Sequence, residues 1–153
     1  PLQHANSLLK QHLRFSDKEN QDGFTRDYMT WLGHYEFGPA HKPFAFSTVQ
    51  TDMHKSHPQS SLDYWLLIWC ETYEYLLKNT SEEVVFLSYE QLCTRPDEVL
   101  GSLFTRAGLL EDVDLIETKL SISSSTVPAT AEPSIIERAE RLYSSMESRA
   151  SAF

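Results

Sequence analysis

Four histidines and a glutamate are the first residues with obvious chemistry. His34, Glu36 and His41 cluster around the end of one periodic stretch, and His54 and His57 lie in a proline-marked one. Imidazole and carboxylate side chains ligate metals or move protons, but none of these fits H-E-x-x-H or a Cys/His framework, so no metal ligand is assigned. His34 or His41 could serve as acid/base toward an acceptor hydroxyl. Ser7, in the first turns of an N-terminal helical pattern, carries a hydroxyl suited to a phosphate oxygen, in the favourable field of the helix dipole. Tyr89 directly follows an apolar run, and the carboxyl end of a parallel strand is where α/β proteins place ligands. Glu90 beside it is expected to orient local backbone or pair with a base. Trp65, Trp69 and Tyr73 recur at helical spacing, a pattern of core packing more than of a stacking platform. Cys70 and Cys93 lack C-x-x-C spacing, which suits two thiols in a reducing, cytoplasmic setting. Asn79-Thr80-Ser81 matters as a glycosylation sequon only in a secretory protein, and here reads as a helix cap.

These residues must be positioned by elements that the hydrophobic period predicts. Ala5, Leu8, Leu9, Leu13 and Phe15 mark a helix after Pro1, and Phe24, Tyr28, Trp31, Leu32 and Tyr35 a second, stopped near Gly33 and Gly38. The connection to Ser60 contains Pro39, Pro43 and Pro58, with Phe44, Phe46 and Val49 available to tuck it onto a core. A Ser60/Ser61 cap opens the clearest helix, carrying Leu62, Trp65, Leu66, Trp69, Tyr73, Leu76 and Leu77. Val84-Val85-Phe86-Leu87 has the apolar, β-branched character of a strand buried on both faces. Thr94 with Asp97 forms a capping-box pattern before a helix through Val99, Leu100, Leu103 and Phe104 to Gly108, and Asp112 to Leu120 predicts a short helix. Residues 121–133, rich in Ser, Thr, Ala and Pro, read as a loop or linker after a main body of 1–120. Ser134 with Glu137 opens a last helix over 134–149.

With 153 residues the chain suits one domain, and 41% hydrophobic and 12% aromatic content supplies a core. A net charge of −9 disfavours nucleic acid and anionic lipid as non-specific partners. No apolar run approaches the roughly 18 residues of a membrane span. A single strand cannot satisfy its own backbone groups, so an α-β-α pattern around residues 84–89 implies a parallel sheet completed by strands outside this chain or by a second copy. With Pro1 rather than Met at the start, the expected fold class is α/β, the mostly helical C-terminal half of a larger domain. A strand at Phe44 to Val49 is the rival source of a partner, demoted by the prolines around it.

The segment Val85-Phe86-Leu87-Ser88-Tyr89-Glu90-Gln91-Leu92-Cys93-Thr94-Arg95-Pro96-Asp97, followed by a helix and Ala107-Gly108-Leu109, resembles P-loop sulfotransferases that use 3′-phosphoadenosine 5′-phosphosulfate (PAPS), of the bacterial type. Pro1-Leu2-Gln3-His4-Ala5-Asn6-Ser7-Leu8-Leu9 is similar to the residues after the arginine of that family's 3′-phosphate segment. Arg138-Ala139-Glu140-Arg141-Leu142-Tyr143 is similar to its closing helix in bacterial members. The resemblance implies PAPS as co-substrate, Ser7 at the 3′-phosphate, Tyr89 at the adenine, and transfer of a sulfuryl group to a hydroxyl or amine acceptor. The family's Gly-rich 5′-phosphosulfate loop and a placeable catalytic acid/base are absent, so no catalytic residue is assigned and the chain alone is expected to be inactive. The other expectation, from a different class, is a non-catalytic helical interaction module whose strand completes a partner's sheet.

Overall fold

The computed structural model describes residues 1–17, 19, 21–33, 35–46, 55–81, 83–109, 121–122 and 130–151. Six helices are delimited among them: α1 (Leu2–Ser16), α2 (Gly23–Leu32), α3 (Leu62–Asn79), α4 (Tyr89–Thr94), α5 (Pro96–Ala107) and α6 (Pro133–Ser151). The chain divides into two compact units, one of Pro1–Asn79 with Thr126–Tyr143, the other of Thr80–Ser125 with Ser144–Phe153. His34, Val49, His54 and the short helix expected at Asp112 to Leu120 lie outside the described residues.

In the first unit α1 packs on α3. The apolar stripe of α1 turns Ala5 and Leu9 inward with Asn6 and His12, and α3 buries Leu62, Tyr64, Trp65, Leu66, Leu67, Trp69, Cys70 and Glu71 over its first three turns. Each large apolar side chain so enclosed contributes about 1.5–3 kcal/mol. Ser61 caps α3, its Oγ accepting from the Tyr64 amide at 3.3 Å, and Asn79 donates back to the Tyr75 carbonyl at 2.8 Å. The first turns of α6 bury Ile135 and Ala139, and Arg138 reaches Glu74 of α3 through two hydrogen bonds of 2.9 and 3.1 Å.

Helix α2 inverts its expected amphipathicity. Met29 is the side chain it buries, while Phe24 is 78% and Trp31 83% exposed. Asp22 rather than an apolar contact fixes its start, accepting from the Thr25 amide at 2.9 Å. Gly33 closes it in the left-handed region, at φ 58°. Gly38 turns the chain at φ 85°, where a Cβ would lie 3.2 Å from Met29 Cε and 3.4 Å from Phe15 Cβ. Gly38→Ala is therefore expected to lose about 1–3 kcal/mol in urea denaturation, from strain and crowding together. An unchanged midpoint would show that the turn relaxes freely.

The second unit corrects the expected fold class. No strand occurs among the described residues, whose regular structure is all helical, so the expected α/β class with a parallel sheet is not borne out. Strand propensity in Val84–Leu87 becomes a strand only where a neighbouring backbone pairs with it, and none here does. The segment is held instead by Arg149 of α6, whose guanidinium lies 4.7 Å from the Phe86 ring centroid and donates to the carbonyls of Thr80 and Ser81. Ser88 then caps α4 by accepting from the Gln91 amide at 3.2 Å, so the chain turns helical at Tyr89.

Both expected capping boxes are replaced. Thr94 closes α4 by donating to the Glu90 carbonyl, and α5 starts at Pro96 with Asp97 and Glu98 in its first turn. Ser134 donates to Glu132 Oε1, one residue before α6 begins at Pro133. Gly108 ends α5 at φ 68°, as its position predicts.

Candidate functional site

The residues around Gly38 build a site because the prolines and Gly38 keep 35–46 out of regular structure while specific bonds fix it. The Lys42 amide donates to the Tyr35 carbonyl at 2.9 Å and the His41 amide to the Gly38 carbonyl at 3.1 Å. The Gly38 amide donates to His12 Nδ1 at 3.1 Å, tying the turn to α1. Phe46 stacks on Tyr75 of α3, with centroids 4.1 Å apart, whereas Phe44 is left largely exposed.

His41 is the centre of this arrangement. A carbonyl only accepts, so the 2.8 Å contact with the Tyr35 carbonyl puts the ring proton on Nδ1, and Nε2 of the neutral ring accepts from the Tyr64 hydroxyl at 2.8 Å. The ring packs 4.6 Å from Trp65, which also borders His12 at 5.2 Å. His12 is buried and accepts through Nδ1, so its neutral form is favoured. Burial, and secondarily repulsion from His41 whenever that ring is protonated, hold its pKa below the ordinary 6.5. Burial likewise raises the Tyr64 and Tyr73 hydroxyls above their usual range.

Between this loop, α1 and α3 lies a cleft of about 550 Å³. His4 and Leu8 come from α1, and Trp65, Ile68, Trp69, Thr72 and Tyr73 from one face of α3. Tyr35, His41, Lys42, Pro43 and Phe44 among the loop residues complete the wall. An apolar, aromatic cavity with a few polar groups at fixed places is the usual form of a small-molecule site. The stripe Trp65, Trp69 and Tyr73 thus serves twice, packing the core and presenting an edge to the cleft. Sequence spacing showed the first role only. The signal for the second was the long proline-marked connection to Ser60, which carries Phe44 and Phe46.

The other expected site residues fall elsewhere. Ser7 is exposed on α1, more than one turn past its start, and its hydroxyl makes no hydrogen bond among the described residues. Tyr89 is 52% exposed in the first turn of α4, and its hydroxyl donates to the Ser121 carbonyl at 3.2 Å. The neighbouring Cys93 keeps that phenol above its ordinary pKa. The two belong to different units, and neither lines the cleft. Glu36 lines the cleft, and His57 lines a second hollow of about 500 Å³ on the far part of the loop. Among the described residues no three His, Cys, Asp or Glu side chains come close enough to hold a metal. No helix among them is long and apolar enough to cross a membrane. Both cysteines are free thiols, Cys70 buried with its pKa pushed up to about 11, chiefly by that burial.

The first unit is thus a helical unit with an aromatic-walled cleft between α1, α3 and loop 35–46. Comparison of the chain with protein-family models, with curated proteins and with solved structures gave no match in any of the three.

Proposed function

We propose that the cleft is the acceptor pocket of a sulfotransferase, the chain contributing the acceptor site and part of the site for PAPS. The observation that carries this reading is the cleft itself, with aromatic walls and the fixed His41–Tyr64 pair beside them. Its size and lining suit a small acceptor with a planar apolar body and one hydroxyl or amine. The donor assignment is supported by the resemblance of Val85 to Asp97 and of Pro1 to Leu9, and by the exposed, unengaged Ser7 hydroxyl.

In such a reaction the acceptor oxygen or nitrogen bonds to sulfur as the bond from sulfur to the 5′-phosphate oxygen breaks. The acceptor proton passes to a base, and 3′,5′-adenosine diphosphate leaves. His41 would act here by position, since both ring nitrogens are already engaged, with Nε2 released only if Tyr64 turns toward the acceptor. The sequence contains no Gly-rich loop for the phosphosulfate, its five glycines being dispersed at 23, 33, 38, 101 and 108. The chain by itself is therefore expected to transfer no sulfuryl group.

Thermal-shift and tryptophan-fluorescence titrations test the two halves of this reading separately. 2-Naphthol, as a probe acceptor, should raise the melting midpoint and quench Trp65 and Trp69, with stabilisation of about 2.7 kcal/mol at a hundredfold excess over Kd. No response at millimolar 2-naphthol overturns the pocket. A response to 2-naphthol with none to millimolar 3′,5′-adenosine diphosphate removes the donor assignment and leaves a binding domain.

A further inference from the structure

In the second unit, the backbone N–H and C=O groups of Val85, Phe86 and Leu87 make no hydrogen bond among the described residues. Three consecutive bare peptide groups are unusual in an apolar stretch, because a backbone group without a protein partner must stay wet or find one. Ser88, next in line, has extended backbone at φ −83° and ψ 123°. Val84 and Leu87 expose 45% and 43% of their surfaces, and the Val84 amide already donates to the Ser81 carbonyl at 3.1 Å, so the open peptide groups begin at Val85. Arg149 meanwhile holds the segment from one side, through the Phe86 ring and the carbonyls of Thr80 and Ser81, without touching its free peptide groups.

We propose that Val84–Leu87 is a strand-addition site that pairs with the exposed edge of a preformed β-sheet in another polypeptide. In isolation the described residues contain no strand, and the pairing forms only on docking. Main-chain bonds would supply the affinity, and the alternating Val84/Phe86 and Val85/Leu87 faces the fit. A second copy of this chain offers only a two-stranded ribbon, which is marginal in water, so the partner must bring a sheet of its own. Charge narrows its chemistry further. Exposed Glu83 and Glu90 flank the run and the chain carries −9 overall, which repels a second copy and favours an edge strand guarded by lysines, a common protection of open edges. This inference rests on the second unit alone and is independent of the cleft.

The test uses the intact chain and three synthetic β-hairpins with one free, Val/Thr-rich edge: lysine-flanked, glutamate-flanked, and lysine-flanked but N-methylated along that edge. Amide hydrogen exchange at Val85, Phe86 and Leu87 is followed by NMR. The lysine-flanked hairpin should slow alternate amides at least about tenfold, the glutamate-flanked one less, and the N-methylated one not at all. The proposal is overturned if these amides already exchange as slowly as those of α3 in the free chain, or if millimolar lysine-flanked hairpin leaves them unchanged. It is equally overturned if the N-methylated hairpin protects as well, which would mean side-chain docking, or if protection rises with chain concentration alone, which would mean self-pairing.

Discussion

Trp65→Ala should cost about 3–5 kcal/mol of unfolding free energy, the range for emptying a large aromatic site in a packed core. Trp65 is 1% exposed, its indole N–H donates to the Gln59 carbonyl at 2.8 Å, and its ring touches His12, His41 and Tyr64. The substitution therefore removes packing between α1 and α3 and the surface against which His41 is held. Trp65→Phe keeps most of the ring and forfeits the hydrogen bond, and should lose only about 1–2 kcal/mol. Urea denaturation followed by circular dichroism measures both. If the alanine variant loses less than the phenylalanine range, the loop around Gly38 is not organised by this side chain. If Trp65→Phe folds but no longer binds 2-naphthol, the ring's full shape matters to the cleft as well as to the core.

The second large effect is electrostatic. Arg138 and Glu74 are about a quarter exposed and joined by two hydrogen bonds, and the charge of Glu71 also acts on the guanidinium. Arg138→Leu keeps apolar bulk on α6 but leaves the Glu74 carboxylate half-enclosed without its cation, and is expected to lose about 2 kcal/mol at neutral pH. The pH dependence gives the mechanism a signature. Hydrogen bonds from Arg138 hold the Glu74 carboxyl below its ordinary pKa of 4.5. A carboxyl with a depressed folded-state pKa stabilises the fold above the unfolded value and loses that contribution as pH falls through the folded one. The gap between wild type and Arg138→Leu should thus be full at pH 7 and shrink below about pH 4.5. A gap that persists unchanged into acid would assign the loss to packing of the arginine stem instead.

Helices were legible in the residues because their signals are local. The period of Leu62, Trp65, Leu66 and Trp69, the Ser61 cap, the Asn79 end and the stop at Gly108 all depend on neighbours within one or two turns, and the structure has each of them. Local signals fail where the deciding partner is distant in sequence. Val84–Leu87 has every local mark of a strand, yet a strand is a relation between two backbones and this chain supplies no second one among the described residues. Helix α2 shows the same limit from the other side. Its aromatic spacing predicts a buried face, and which face is buried depends on what packs there, here Met29 against the Gly38 turn.

The sequence by itself determined where the longer helices lie, the Ser61 cap and the stops at Gly33, Asn79 and Gly108, and a net charge of −9. Only the tertiary structure decided that loop 35–46 folds against α1 and α3 to enclose a cleft, that His41 is fixed by Tyr35 and Tyr64, and that Ser7 and Tyr89 belong to separate units. The reason is range: caps and helical periods act over a few residues. A cavity wall, a ring tautomer and a strand's pairing each need groups brought together from tens of residues apart.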